Sequence, residues 1–121
     1  MDNNEYNELL SMLLKATTNN KIEWEYLQHS SDRFRAKVGD GYIGLSHTKG
    51  TTLSLEYMSL TVYNSSGQSI ETYSFNEMED AEQFKKLAKL YYIVNDMVFR
   101  ITETKSSIFS ALRGMTSDNK I

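Results

Sequence analysis

Apolar residues between Asn3 and Thr18 recur at three- and four-residue steps. Tyr6, Leu9, Leu10, Leu13 and Thr17 form one stripe, which predicts an amphipathic helix. Asn19-Asn20 is the expected stop, because Asn tolerates the left-handed backbone that ends helices. The period then falls to two. Ile22, Trp24 and Tyr26 alternate with Glu23 and Glu25, and Phe34, Ala36 and Val38 alternate with Arg33, Arg35 and Lys37. Both segments read as half-buried strands, joined by a polar loop around His29-Ser30-Ser31-Asp32. Asp40-Gly41 is expected to form a two-residue hairpin turn. That turn would set Val38 opposite Ile43 and Ala36 opposite Leu45. Across the first loop, Trp24 is expected opposite Ala36, with Glu23 beside Lys37 and Glu25 beside Arg35.

The strand from Tyr42 to His47 places Ile43 and Leu45 on one side. Lys49-Gly50 marks a further turn, and Thr52 to Tyr63 is a long β-prone run. Its parity changes between Leu53-Leu55 and Met58-Leu60-Val62, so a β-bulge is expected near Glu56-Tyr57. Asn64 to Gly67 is a turn, and Ser69 to Phe75 is the last strand. Asn76 is the expected N-cap of a long helix, with Glu77, Glu79 and Asp80 at its positive end. Phe84, Leu87, Ala88, Tyr91, Val94, Val98 and Ile101 follow at helical spacing. A short helix from Glu103 to Leu112 carries Ile108, Phe109 and Leu112, stops at Gly114, and leaves 115–121 as a frayed tail. The predicted fold is a single α+β domain over 1–121. It has an N-terminal helix, an antiparallel meander of four or five strands, and a long plus a short C-terminal helix, with the helices on one face of the sheet.

The long helix is apolar on two sides. Leu90, Ile93 and Met97 fall outside the stripe of Leu87, Tyr91, Val94 and Val98, bordered by Lys86, Lys89 and Arg100. An apolar centre with a polar rim is the pattern of a protein contact, so these three are the candidate partner-binding residues. The cover is a second copy in a homodimer, another protein, or the chain's own first or last helix.

Composition narrows the chemistry. The chain has 121 residues, enough for one hydrophobic core, and no cysteine, so disulfides, thiol chemistry and Cys-based zinc sites are excluded. A net charge of -3 argues against a phosphate-neutralising surface, so no nucleic acid is expected as partner. No apolar run approaches the ~18 residues of a membrane span, and Met1 to Glu5 is polar. The expected setting is cytoplasmic, with no membrane partner. His29 and His47 are isolated, so no metal and no cofactor are expected. Ser46-His47-Thr48-Lys49 matches an S-x-x-K pattern, but it lies across a strand end and a turn where the side chains diverge. Glu23 and Glu25 opposite Arg35 and Lys37 read as exposed cross-strand ion pairs rather than a catalytic acid pair. Eight Tyr, five Phe and one Trp make the chain rich in aromatics, which serve cores and interfaces alike.

The order of a leading helix at Leu9 to Leu14, a Lys21-Ile22-Glu23-Trp24-Glu25 strand, a hairpin meander turning at Asn64 to Gly67, and a helix holding Leu90-Tyr91 resembles a class of small bacterial and mobile-element proteins. The resemblance implies the α+β fold and carries no activity with it. The expected function is a non-enzymatic protein-interaction or self-associating accessory or inhibitor module. The alternative is a small-ligand binder with a pocket between sheet and helices, lined by Trp24 and tyrosines.

Overall fold

The computed structural model describes residues 3–49 and 56–117. The chain runs α1 (Asn3–Thr18), β1 (Trp24–Tyr26), β2 (Phe34–Val38), β3 (Gly41–Lys49), β4 (Glu56–Tyr63), β5 (Ser69–Asn76), α2 (Ala81–Phe99) and α3 (Ile101–Ser117). The strands form one antiparallel sheet in the order β1-β2-β3-β4-β5, an uninterrupted meander. This is the α+β layout that the change from a helical period to a period of two predicts.

α1 ends as its sequence requires. Asn20 adopts φ 58, and the Lys21 and Asn20 amides donate to the carbonyls of Ala16 and Thr17, which closes the last turn. α1 crosses the whole sheet. Near its start the Tyr6 ring stacks on Tyr73 and Phe75 of β5, at 4.9 and 5.1 Å. Near its end Thr17 Oγ1 accepts the indole N–H of Trp24 on β1 at 3.1 Å. Eleven residues of helix rise about 16 Å, close to the ~19 Å between the outer strands of a five-stranded sheet.

The β1–β2 register is the expected one: Trp24 faces Ala36 and Glu25 faces Arg35. The β2–β3 register differs by two. Ala36 faces Ile43, Phe34 faces Leu45, and Val38 faces Gly41. The turn residues are therefore Gly39-Asp40, not Asp40-Gly41. Gly39 takes φ +61, so positive φ falls on the first turn residue, as in a type II′ turn. The sequence offers a glycine on each side of Asp40, and either turn is locally sound. Only the Gly39-Asp40 turn aligns the small Gly44 with Arg35 and Phe34 with Leu45.

The β3–β4 register is regular from Lys49↔Glu56 to Tyr42↔Tyr63, so no bulge falls at Glu56-Tyr57. The irregularity lies instead between Val62 and Tyr63, beside the Asn64–Gly67 turn. Leu53, Leu55 and the Lys49-Gly50 turn beyond Lys49 lie outside the described residues. Asn76 ends β5 rather than starting α2: its Oδ1 accepts from the amides of Met78 and Glu79 and shapes the turn before Ala81.

One face of the sheet carries Phe34, Ala36, Ile43, Leu45, Met58 and Leu60, all buried. α1 and α2 cover it with Tyr6, Leu10, Leu13, Phe84, Leu87, Leu90, Tyr91 and Val94. α2 packs along α1 and against β1, β4 and β5. The core thus lies between one sheet face and two helices, and α3 is not part of it.

Candidate functional site

Leu90, Ile93 and Met97 do not form one surface. Leu90 is fully buried in the core, Ile93 is half-buried and Met97 is exposed. α1 accounts for the difference. It lies along this flank of α2, where Leu10 and Leu14 face Lys86 and Lys89 across a shallow cleft. The sheet covers one apolar side of α2, while α1 covers the other at Leu90 and in part at Ile93 and leaves Met97 exposed. Leu90 is not available to a second molecule.

The surface left uncovered lies one helix further on. α2 ends at Arg100, whose φ of 53 is left-handed and whose amide donates to the Asp96 carbonyl. The Asp96 carboxylate then accepts from the Thr102 amide at 3.0 Å and its hydroxyl at 2.8 Å. One residue thus closes α2 with its backbone and caps α3 with its side chain. The Arg100 guanidinium returns to Glu103 in the first turn of α3. These polar contacts hold the corner together with Phe99, whose ring meets Tyr26 edge-on at 5.1 Å.

α3 is 17 residues long rather than a short Glu103–Leu112 helix, and it continues through Gly114 to Ser117. It buries no residue. Ile108, Phe109, Leu112 and Met115 are 54%, 58%, 48% and 69% exposed. They lie within one flank, with Ile108, Leu112 and Met115 at four- and three-residue steps. A cleft of about 320 Å³ separates the start of α3 from the end of α2, with Phe99, Thr104, Ser107 and Ile108 among its walls. Sequence reasoning names Ile108, Phe109 and Leu112 as helix residues but does not single them out. Their signal is continuity of phase. The 4-3 spacing of Leu87, Tyr91, Val94, Val98 and Ile101 carries on through Lys105 to Ile108, Leu112 and Met115, past the residues the sheet can cover.

The open face of the sheet carries a second polar feature. Asp32 is a buried carboxylate whose Oδ2 accepts from Arg35 Nη2 at 3.0 Å and from the Tyr63 hydroxyl. The Arg35 guanidinium lies 4.3 Å from the centroid of the Tyr63 ring. Burial, and then the bond to Asp32, push the Tyr63 phenol above its ordinary value. Arg35 therefore turns to Asp32, although Glu25 is its cross-strand neighbour. Lys21, Glu23, Glu25, Arg35, Lys37 and Tyr42 border an open depression of about 440 Å³ with charges of both signs. Mixed charge in an open depression makes a solvated surface.

Other candidates are placed without chemistry. His29 is an exposed loop residue. His47 Nε2 lies 3.3 Å from Glu56 Oε2, and its ring meets Tyr91 edge-on. Ser46 and Lys49 stand on β3 with opposite parity, so they point to opposite faces. Among the described residues no group of three or more His, Cys, Asp or Glu is placed to hold a metal ion, and no helix is long and apolar enough to cross a membrane. Trp24 fills the layer between sheet and helices, where a ligand pocket would have to open.

No family model, curated protein or solved structure matches this chain.

Proposed function

We propose that this chain is a non-enzymatic protein-interaction module of the cytoplasm whose contact element is α3. One observation carries the reading: four large apolar side chains stand exposed on a 17-residue helix that has no buried residue and only Ile101 half-buried. A helix of this length draws little stability from propensity alone, and in folded proteins an apolar stripe earns its place by being covered. Exposed apolar clusters rimmed by polar residues mark contact surfaces. Here Glu103, Lys105, Arg113 and several Ser and Thr supply the rim. The open depression by Arg35 is walled mostly by charged side chains, and the layer lined by Trp24 is packed, so a small ligand has less to hold it.

The size of the chain in an extract of its host cell tests this. Wild type is expected in an assembly larger than one chain, and Leu112→Glu is expected at the size of a single folded chain. Equal sizes for both proteins would remove α3 as the contact element.

A further inference from the structure

We infer that α3 pairs with α3 of a second copy of this chain, antiparallel, about a two-fold axis beside Ile108. This rests on the reading of α3 as the contact element and names its occupant.

The stripe is self-complementary. Ile101 and Met115 lie seven residues to either side of Ile108, and Thr104 and Leu112 lie four residues to either side. Antiparallel pairing about Ile108 sets Ile101 level with Met115 of the second copy and Thr104 level with Leu112. Each layer then holds at least one apolar side chain. The two flanks of the stripe also suit this arrangement. In an antiparallel two-fold pair, like flanks of the two helices lie on the same side. One flank carries Thr104, Ser107 and Ala111, whose small side chains allow close approach. The other carries Lys105 and, four residues on, Phe109. Both copies' Phe109 rings then lie one residue from the axis, where they can stack on each other. Lys105 comes level with Ala111 of the second copy, so its stem can cross the seam and leave the ammonium in water.

Parallel pairing fails on the same residue. In register it would set Lys105 against Lys105 inside an apolar seam, a repulsion that antiparallel pairing avoids by moving the two lysines about 9 Å apart along the axis. Opposed helix dipoles favour the antiparallel arrangement further.

The area suffices. The four exposed side chains present roughly 450 Å² per chain, given the 150–250 Å² typical of a buried aromatic. Homodimer interfaces are about 65% apolar, so a two-fold contact that covers the whole stripe would bury up to about 1,400 Å². Stable interfaces begin near ~1,200 Å². Closed two-fold dimers are also the commonest assembly of identical chains.

The chain has no cysteine, so single-cysteine variants report register directly. In sedimentation of the purified chain at high micromolar concentration, wild type is expected at twice the chain mass. Ile108→Glu is expected as a monomer, with the dissociation constant raised on the order of 100-fold, because it places two carboxylates at the axis. Its far-UV spectrum and thermal midpoint at a concentration where both proteins are monomeric are expected to match wild type, since Ile108 is exposed in the single chain. Oxidation of an equimolar mixture of Ile101→Cys and Met115→Cys chains is expected to give the mixed disulfide. Linkage only between like chains would overturn the antiparallel register. A monomeric wild type, or an Ile108→Glu that still dimerises, would overturn the second copy as occupant. A purified monomer that nevertheless occupies a larger assembly in host extract, lost in Leu112→Glu, would leave α3 as a contact element for another protein. A chain that is single in both settings would end both readings.

Discussion

A β-carbon on Gly44 would stand 2.3 Å from Oδ2 of Asp32, so the buried carboxylate occupies the space that this glycine leaves. The contact ties the loop before β2 down onto β3, and it fixes the oxygen that Arg35 and Tyr63 share. Gly44→Ala is expected to displace Asp32 and cost ~1–3 kcal/mol, as overpacking at a closely packed site does. Denaturant midpoints measure it. In the Asp32→Ala background the same glycine change should cost much less, because the obstacle is gone. Full additivity of the two changes would show that the clash is relieved elsewhere.

Tyr6 carries a buried hydroxyl with no hydrogen-bond partner among the described residues. Burial, with a lesser contribution from Tyr73, raises its phenol far above the ordinary value. The sign follows from linkage: the folded state favours the neutral phenol, so the stability this represents is complete below about pH 10, the unfolded value, and is lost as pH rises past it. Tyr63, also raised, adds in the same direction. Tyr6→Phe removes a polar atom that makes no hydrogen bond among the described residues, and it keeps the ring against Tyr73 and Phe75. It is expected to leave stability at pH 7 unchanged or raised by up to ~1 kcal/mol, and to flatten its decline above about pH 10. A loss of more than about 1 kcal/mol at neutral pH would mean that the hydroxyl has a partner in solution.

Trp24 and Leu90 should behave as core residues, and Met97 should not. Trp24→Ala removes a buried ring and its bond to Thr17, and ~3–5 kcal/mol is expected; Leu90→Ala should cost ~2–5 kcal/mol. Met97→Ala, at an exposed position, should stay within ~0.5 kcal/mol. The sole tryptophan offers the probe for Leu90 and Met97: its emission should be blue-shifted in the folded chain and move red on unfolding. A Leu90→Ala midpoint matching that of Met97→Ala would show that α1 does not hold its place over α2.

Leu90 also shows where the sequence stops being legible. Its periodicity correctly marks a second apolar side on α2, but periodicity does not say which element covers that side. The cover depends on the diagonal of α1 from Tyr73 to Trp24, a tertiary relation with no local trace. Trp24↔Ala36 could be read because alternation on both strands constrains the pair. The neighbouring hairpin is not legible in the same way: its turn lies one residue earlier and its register shifts by two, since glycines flank Asp40 on both sides and both registers keep the same buried face. The full length of α3 is hidden in the sequence because Gly114 reads as a stop. An exposed helix interior can carry one glycine at ~1 kcal/mol, and nothing packs on that position to forbid it.

The angle between α2 and α3 should depend on Asp96. The heptad phase from Leu87 to Met115 fits one continuous helix, so the sequence does not impose the break by its apolar pattern. Arg100 imposes it by taking left-handed φ, a conformation that costs a residue with a β-carbon about 1 kcal/mol relative to glycine. The side-chain cap from Asp96 to Thr102, worth ~1 kcal/mol at such positions, offsets that cost. The two terms are of similar size, so removing the cap should tip the balance. Asp96→Ala is expected to let Arg100 return to right-handed helix in part of the population and swing α3 into line with α2. Spin labels on exposed Tyr92 and Arg113 should then report a second, longer distance beside the wild-type one. Arg100→Gly should act in the opposite sense: it relieves the left-handed strain, keeps the Asp96 cap, and should leave a single short distance. A single unchanged distance in Asp96→Ala would show that the corner is held by Arg100 and Glu103 rather than by the cap.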